Sequence, residues 1–344
     1  MVGRLKTSLS DALVEFYPLA GRMKGQIFVD CNDAGILYVE AQAHAILSDI
    51  IKSPESGVLD KLTPFPTTGF LSTLQEPLAV QITSFTCGGI AIGMCISHRI
   101  ADHYSLSSFT KCWAAIARRD DSSLISPVFN SAAQHARFLS KPEKPVAALK
   151  LEITTTTSIA NPSRVVAVTA FLWSRCAAAC KSDASVACHP VNIRGKIPSL
   201  TENSFGNLFQ MVFAESRGEA NWIGLAEKLR SAFVALDVAR LLGERGFEVA
   251  KENFMEISKL LEKGNVDVFR FSSMCRFPVY EADFGWGKPV WVSYAGVQNK
   301  NCVFLFDSVD MERGGVEAWV VLTPQAMDRL QGDLQFLHFT SAFA

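Results

Sequence analysis

Ile90-Ala91-Ile92-Gly93-Met94-Cys95-Ile96-Ser97-His98-Arg99-Ile100-Ala101-Asp102-His103 is the stretch from which fold and chemistry can both be read. Residues 90–96 form an apolar run that follows Cys87-Gly88-Gly89, which is how a buried strand leaving a tight turn reads. Such a strand delivers His98 into an interior or a cleft. Imidazole titrates near neutral pH, so a histidine held there can serve as a general base. Asp102 stands four positions later. The spacing alone is more often that of a packed core histidine, and its weight comes from the rest of the chain.

Working outward, Ala79–Phe85 pairs with Ile90–Ile96 as a hairpin, and a helix from Ser105 to Arg118 turns Phe109, Trp113 and Ile116 inward. Upstream, residues 4–17 read as an amphipathic helix with Leu5, Leu9, Leu13 and Phe16 on one stripe, ended by Pro18. Strands are expected around Gln26–Asp30 and Leu37–Gln42. Downstream, Ser158–Arg175 begins as a loop at Asn161-Pro162 and becomes a helix carrying Val168, Phe171 and Leu172. Val186–Ile193 reads as a strand, Asn221–Glu262 as largely helical, and Val292–Asp307 and Gly315–Leu322 as late strands. Helices interleaved with hairpins predict an α/β class with mixed sheets. Asn130–Pro145, rich in Ser, Ala, Lys and Pro, is the best linker.

A length of 344 residues allows two domains that each bury a core. A net charge of −1 argues against a nucleic-acid partner, which would need a basic excess. No apolar stretch approaches a membrane span, and the N-terminus lacks a secretory signal. Nine cysteines without Cys-x-x-Cys spacing read as reduced thiols in a cytoplasmic protein.

A second segment, Tyr280-Glu281-Ala282-Asp283-Phe284-Gly285-Trp286-Gly287-Lys288-Pro289, describes a tight loop around a large aromatic. With His98-x-x-x-Asp102 it resembles the two signatures of the BAHD family of plant acyl-CoA-dependent acyltransferases. Further matches follow in order: Leu5–Ser10 with Phe16–Arg22, Ser163-Arg164-Val165 with Ala170–Trp173, Val191–Arg194, Phe205-Gly206-Asn207 and Gly315–Trp319. The resemblance spans nearly the whole chain, and its flavour is the vinorine-synthase-like branch. It implies two chloramphenicol-acetyltransferase-like domains with mixed sheets and a channel between them. Residues 1–137 would carry the His-x-x-x-Asp motif and 138–344 the Asp-Phe-Gly-Trp-Gly motif. It also implies an acyl-CoA co-substrate, with acetyl-CoA favoured, a small-molecule alcohol acceptor, no permanently bound cofactor, no metal and a monomer.

In that chemistry His98 takes the acceptor's proton as oxygen attacks the thioester, with no acyl-enzyme, and the chain has no Gly-x-Ser-x-Gly elbow. Asp102 could orient the imidazole as a triad aspartate does. The family reading is structural instead, an ion pair with Arg194. A metal held by His98, Asp102 and His103 is a remote third possibility, because one short segment rarely supplies converging ligands. Asp283 is counted with the catalytic residues because activity should need it. Either it handles protons, with Trp286 donating its indole N–H near the oxyanion, or the loop with Gly285, Trp286 and Gly287 braces the channel and Asp283 pairs a basic side chain. Ser163, Arg164 and Val165, at a helix start, are the candidate contacts for the coenzyme A phosphates, with Ser140-Lys141 as a second candidate.

The chain departs from the family pattern in four places. It begins after the family's opening strand and helix, so the first domain is expected to lack a piece. The inter-domain connection is short, Ser273-Met274-Cys275-Arg276 replaces a tryptophan by Met274, and Asn221–Glu262 matches poorly. Rival expectations are therefore a shortened relative that binds coenzyme A or a partner without turnover, and a thioester hydrolase using the same base.

Overall fold

A computed structural model describes residues 2–24, 28–65, 75–129, 146–196, 199–218, 221–236, 255, 266–295, 300–308 and 315–340. The predicted linker, Ser140-Lys141 and most of the predicted helical stretch beyond residue 236 lie outside them.

In the first half, helix α1 (Val2–Glu15) buries Leu5, Leu9 and Ala12, and Phe16 just beyond its end. That spacing of four, three and four keeps one stripe facing inward. Ala12 takes the place predicted for Leu13, which is only partly covered. Pro18 then forces a short 3-10 turn. Strands β1 (Arg22–Lys24) and β2 (Phe28–Asp30) pair antiparallel. Strand β3 (Leu37–Ala43) leads through the short helices α2 (Leu47–Lys52) and α3 (Ser56–Leu59) to β4 (Leu78–Phe85), to which it lies parallel. Strand β5 (Ile90–Ile96) returns antiparallel, completing a three-stranded mixed sheet, and α4 (His103–Arg118) follows. Strand β6 (Val128–Phe129) ends this half.

The second half opens with α5 (Val146–Thr156) and α6 (Arg164–Cys180). Strands β7 (Ala184–Asn192), β8 (Ser204–Phe205) and β9 (Phe209–Arg217), helix α7 (Trp222–Val234) and strands β10 (Asp267–Ser273), β11 (Cys302–Asp307) and β12 (Val316–Val321) follow. Helices α8 (Pro324–Gln331) and α9 (Leu334–Phe339) complete it. The five-stranded sheet runs β12-β11-β10-β7-β9, with β7, β10 and β11 parallel and the outer two strands antiparallel. Helix α6 buries Phe171, Leu172 and Trp173 against it, and the Trp173 indole N–H donates to Ser185 Oγ at 2.9 Å. The fold is therefore α/β with mixed sheets.

The sequence reading missed β9, β10 and α5, together with the short helices α2, α3, α8 and α9 and the short strands β1, β6 and β8. The late strand predicted from Val292 begins only at Cys302, because Trp291 and Val292 are drawn onto Glu317 and Tyr280 instead of a neighbouring strand. The halves also interlock more than a cut at residue 137 suggests. The first core includes Phe205, Ala282 and Phe284, and β6 pairs with β8. Two segments of the second half are thus anchored in the first, and both carry signature residues.

Candidate active site

Two residues past β5 the chain turns sharply, with Ile100 and Ala101 N–H donating to Ser97 O, and Asp102 caps α4 by accepting from Ser105 N at 2.9 Å. This turn projects His98 into a solvent-open cleft between the two halves. The first half contributes His98 and Asp102–Tyr104. The second contributes Pro190 and Asn192 from the end of β7, Phe209, Ser272–Met274 from the end of β10, and Phe277 and Tyr294. Because β7 and β10 are parallel, the cleft lies at the carboxyl ends of two parallel strands, a common place for ligands in such sheets.

The His98 ring is held by a buried amide from the second half of the chain. Asn207 Nδ2 donates to the His98 backbone oxygen at 2.8 Å, and Asn207 Oδ1 lies 3.0 Å from His98 Nδ1. A backbone carbonyl only accepts, so the amide nitrogen must face it and Oδ1 must face the ring. An amide oxygen also only accepts, so Nδ1 carries the proton and Nε2 is the basic nitrogen. Asn207 lies 109 residues away in sequence. Its segment, Phe205-Gly206-Asn207, was legible as a match but not as a contact to the imidazole.

Asp102 does not face the imidazole. Its carboxylate accepts from Arg194 Nη1 at 2.8 Å and Nη2 at 3.0 Å, and from the N–H groups of Ser105 and Leu208, both at 2.9 Å. Arg194, buried at 4% exposure, also donates to Ser204 O, Gly206 O and Ser105 Oγ. A bidentate, desolvated pair of this kind fixes geometry as well as charge. It ties the turn bearing His98 to the segment 204–208 bearing Asn207, so the pair positions the histidine through its partner. With Asp102 occupied by Arg194, the three residues weighed as metal ligands do not converge.

His103, next along α4, is also in the cleft. Its ring stacks on Tyr294 at 5.5 Å between centroids and lies 6.4 Å from that of Phe277. Burial first, then the neighbouring His98 charge, brings its pKa down to about 4.

Asp283 and Trp286, which one reading puts near the reacting atoms and the other puts in a loop bracing the channel, lie away from the cleft. The Asp283 carboxylate accepts from Gly285 N at 2.7 Å and Gly287 N at 3.0 Å. The first of these bonds, then the second and the Arg118 charge, hold its carboxyl below the usual range. The predicted basic partner is present in altered form, because Arg118 Nη1 donates to the backbone oxygen of Asp283 and not to its carboxylate. Arg118 ends α4, about 24 Å along the axis from Asp102 at 1.5 Å per residue. Trp286, 40% exposed, stacks on Phe284 beneath the Arg4 guanidinium, while Phe284 packs edge-on to Trp113. Gly285, at φ +94°, has Arg4 Nη2 only 3.2 Å from where a Cβ would stand, and Gly287 sits at φ +106°. The loop clasps α1 and α4.

Ser163 caps α6, accepting from Val166 N at 3.1 Å. Arg164 pairs with Asp307 at 2.7 Å, whose other oxygen accepts from Arg276 N at 2.6 Å, and Val165 packs on the second core. None of the three residues lines the cleft itself.

A model of the Transferase family matches residues 1–162 and 148–337. Stemmadenine O-acetyltransferase of Catharanthus roseus is 34% identical over 361 residues, covering 96% of this chain and 83% of the relative. Limonoid 7-O-acetyltransferase of Citrus sinensis is 33% identical over 387 residues, covering 97% and 82%. Among solved structures, vinorine synthase superposes with a TM-score of 0.81 at 29% identity, covering 99% of this chain and 86% of that one.

Proposed function

The chain belongs to the Transferase family of BAHD acyltransferases, in its vinorine-synthase-like branch, and on that premise we propose that it moves an acetyl group from acetyl-CoA to a hydroxyl of a plant alkaloid or terpenoid alcohol. That it is an acyltransferase follows from the family; the donor, the acceptor and the residue roles are our reading. Relatives named for acetylating an alkaloid and a limonoid support the acceptor class.

One observation carries the mechanism: the Asn207 amide leaves Nε2 of His98 as the basic nitrogen in an inter-domain cleft. In the proposed step, Nε2 takes the proton of the acceptor hydroxyl as its oxygen attacks the thioester carbonyl. The tetrahedral intermediate collapses, the C–S bond breaks, and the proton on Nε2 passes to the departing thiolate, so that coenzyme A leaves as the thiol and His98 is neutral again. Both substrates are bound together, and no group of the chain is acylated. Asp102 and Arg194 act as positioning residues. Ser163, Arg164 and Val165 remain the proposed contacts for the coenzyme A phosphates, with the positive end of the α6 dipole supplying the anion preference. Arg164 would then divide its charge between phosphate and Asp307. Nothing in the described geometry favours the rival of a chain that binds coenzyme A without turnover.

The test is thiol release from several acyl-CoAs against a panel of alkaloid and limonoid alcohols. We expect release that requires an alcohol and is fastest with acetyl-CoA. Equal release without any alcohol would mean hydrolysis, and no release across the panel would overturn the reading.

A further inference from the structure

The cleft contains a second imidazole for which the reaction as written has no use. Among the described residues no protein group hydrogen-bonds either ring nitrogen of His103, although the residue lines the cleft beside His98. Its ring plane is not free to turn away. Tyr294 stacks on it with 28° between planes, Phe277 lies against it at 30°, and Tyr294 is itself stacked on the buried Phe304 at 4.8 Å. Much of the remaining wall is apolar or aromatic: Pro190, Phe209, Met274, Phe277 and Tyr294. A rigid polar edge set in such a wall selects ligands, because it is desolvated whenever an apolar body fills the cleft and needs a partner on that body.

We propose that His103 is a specificity-determining residue that hydrogen-bonds an oxygen of the acceptor other than the hydroxyl that reacts. The acceptor is then a rigid, largely apolar alcohol carrying at least one further oxygen. With its pKa near 4, His103 is neutral at ordinary pH and offers one N–H donor and one acceptor nitrogen, so a hydroxyl, ketone or ester oxygen would serve. The inference rests on the acyl-transfer reading above and deepens it.

The test compares a rigid polycyclic mono-alcohol with the diol of the same skeleton, acetyl-CoA being the donor, in wild type, His103→Phe and His103→Asn. Phenylalanine keeps the stacking and removes the hydrogen bond; asparagine restores a donor and an acceptor. The wild type should favour the diol in kcat/KM by about 10–100-fold, the size of the penalty when the mono-alcohol leaves a desolvated polar group unpaired. That ratio should fall close to one in His103→Phe and recover in part in His103→Asn. A ratio unchanged in His103→Phe, or a uniform loss on both alcohols, would mean that the ring is only packing and would overturn the inference. Wild-type turnover without preference would overturn it while leaving acyl transfer standing. Absence of acceptor-dependent release from the wild type across both probes and the wider panel would overturn both.

Discussion

Replacing Asp102 by alanine removes four hydrogen bonds at once and leaves Arg194 charged, with its side chain enclosed. An uncompensated buried charge costs about 3–5 kcal/mol, and loss of the α4 cap adds about 1 kcal/mol. Arg194 retains Ser204 O, Gly206 O and Ser105 Oγ, which favours the lower end, so about 4 kcal/mol is a fair figure. At roughly 2–4 °C per kcal/mol for a large domain, the melting temperature should drop by about 8–16 °C. Scanning calorimetry, with turnover measured well below the transition, separates this from chemistry. A double-mutant cycle with Arg194→Ala should show coupling on the order of 2–3 kcal/mol. An unchanged melting temperature with activity abolished, or coupling near zero, would refute the positioning role and return Asp102 to the orienting role of a triad aspartate.

Asn207→Ala should lower kcat on the order of 10²-fold, because the imidazole loses the partner that fixes its tautomer. Asn207→Asp should instead move the acidic limb of the kcat/KM profile to higher pH, since a carboxylate beside the ring favours imidazolium. Asp283→Ala should cost about 1–3 kcal/mol through its two lost loop hydrogen bonds. Assayed at low temperature, its folded fraction should turn over within about threefold of wild type on a general-base mechanism that does not use it. Acid stability gives a further check. Burial lowers the His189 pKa to about 4, against about 6.5 in an unfolded chain. Between those values the unfolded state binds the proton and the folded state does not, so stability is full above pH 6.5 and declines toward pH 4. His189→Leu should flatten the melting temperature measured across that window.

Much of the architecture was legible because local signals agreed with it. The stripe through Leu5, Leu9 and Phe16, the Cys87-Gly88-Gly89 hairpin and the Ser163 helix start are set by spacing and caps within a few residues. Strands β9 and β10 were not legible, since their pairing with β7 is non-local. His98 was readable at the end of its strand, and the resemblance supplied Arg194 as the partner of Asp102. Asn207 was visible as part of a match, but a contact across 109 residues leaves no local trace. Asp283 stands in a signature that suggests a need without a location, and its carboxylate accepts from the N–H groups of Gly285 and Gly287. His103 was noticed for a metal; its aromatic clamp comes from residues 277 and 294, far along the chain.

The central claim is that His98 removes the acceptor proton, and His98→Ala tests it most directly. Acetyl-CoA binding, followed by calorimetry, should match wild type, while acceptor-dependent thiol release falls on the order of 10²–10⁴-fold, the range for loss of a general base. A variant that binds acetyl-CoA normally and turns over within a few-fold of wild type would contradict the account.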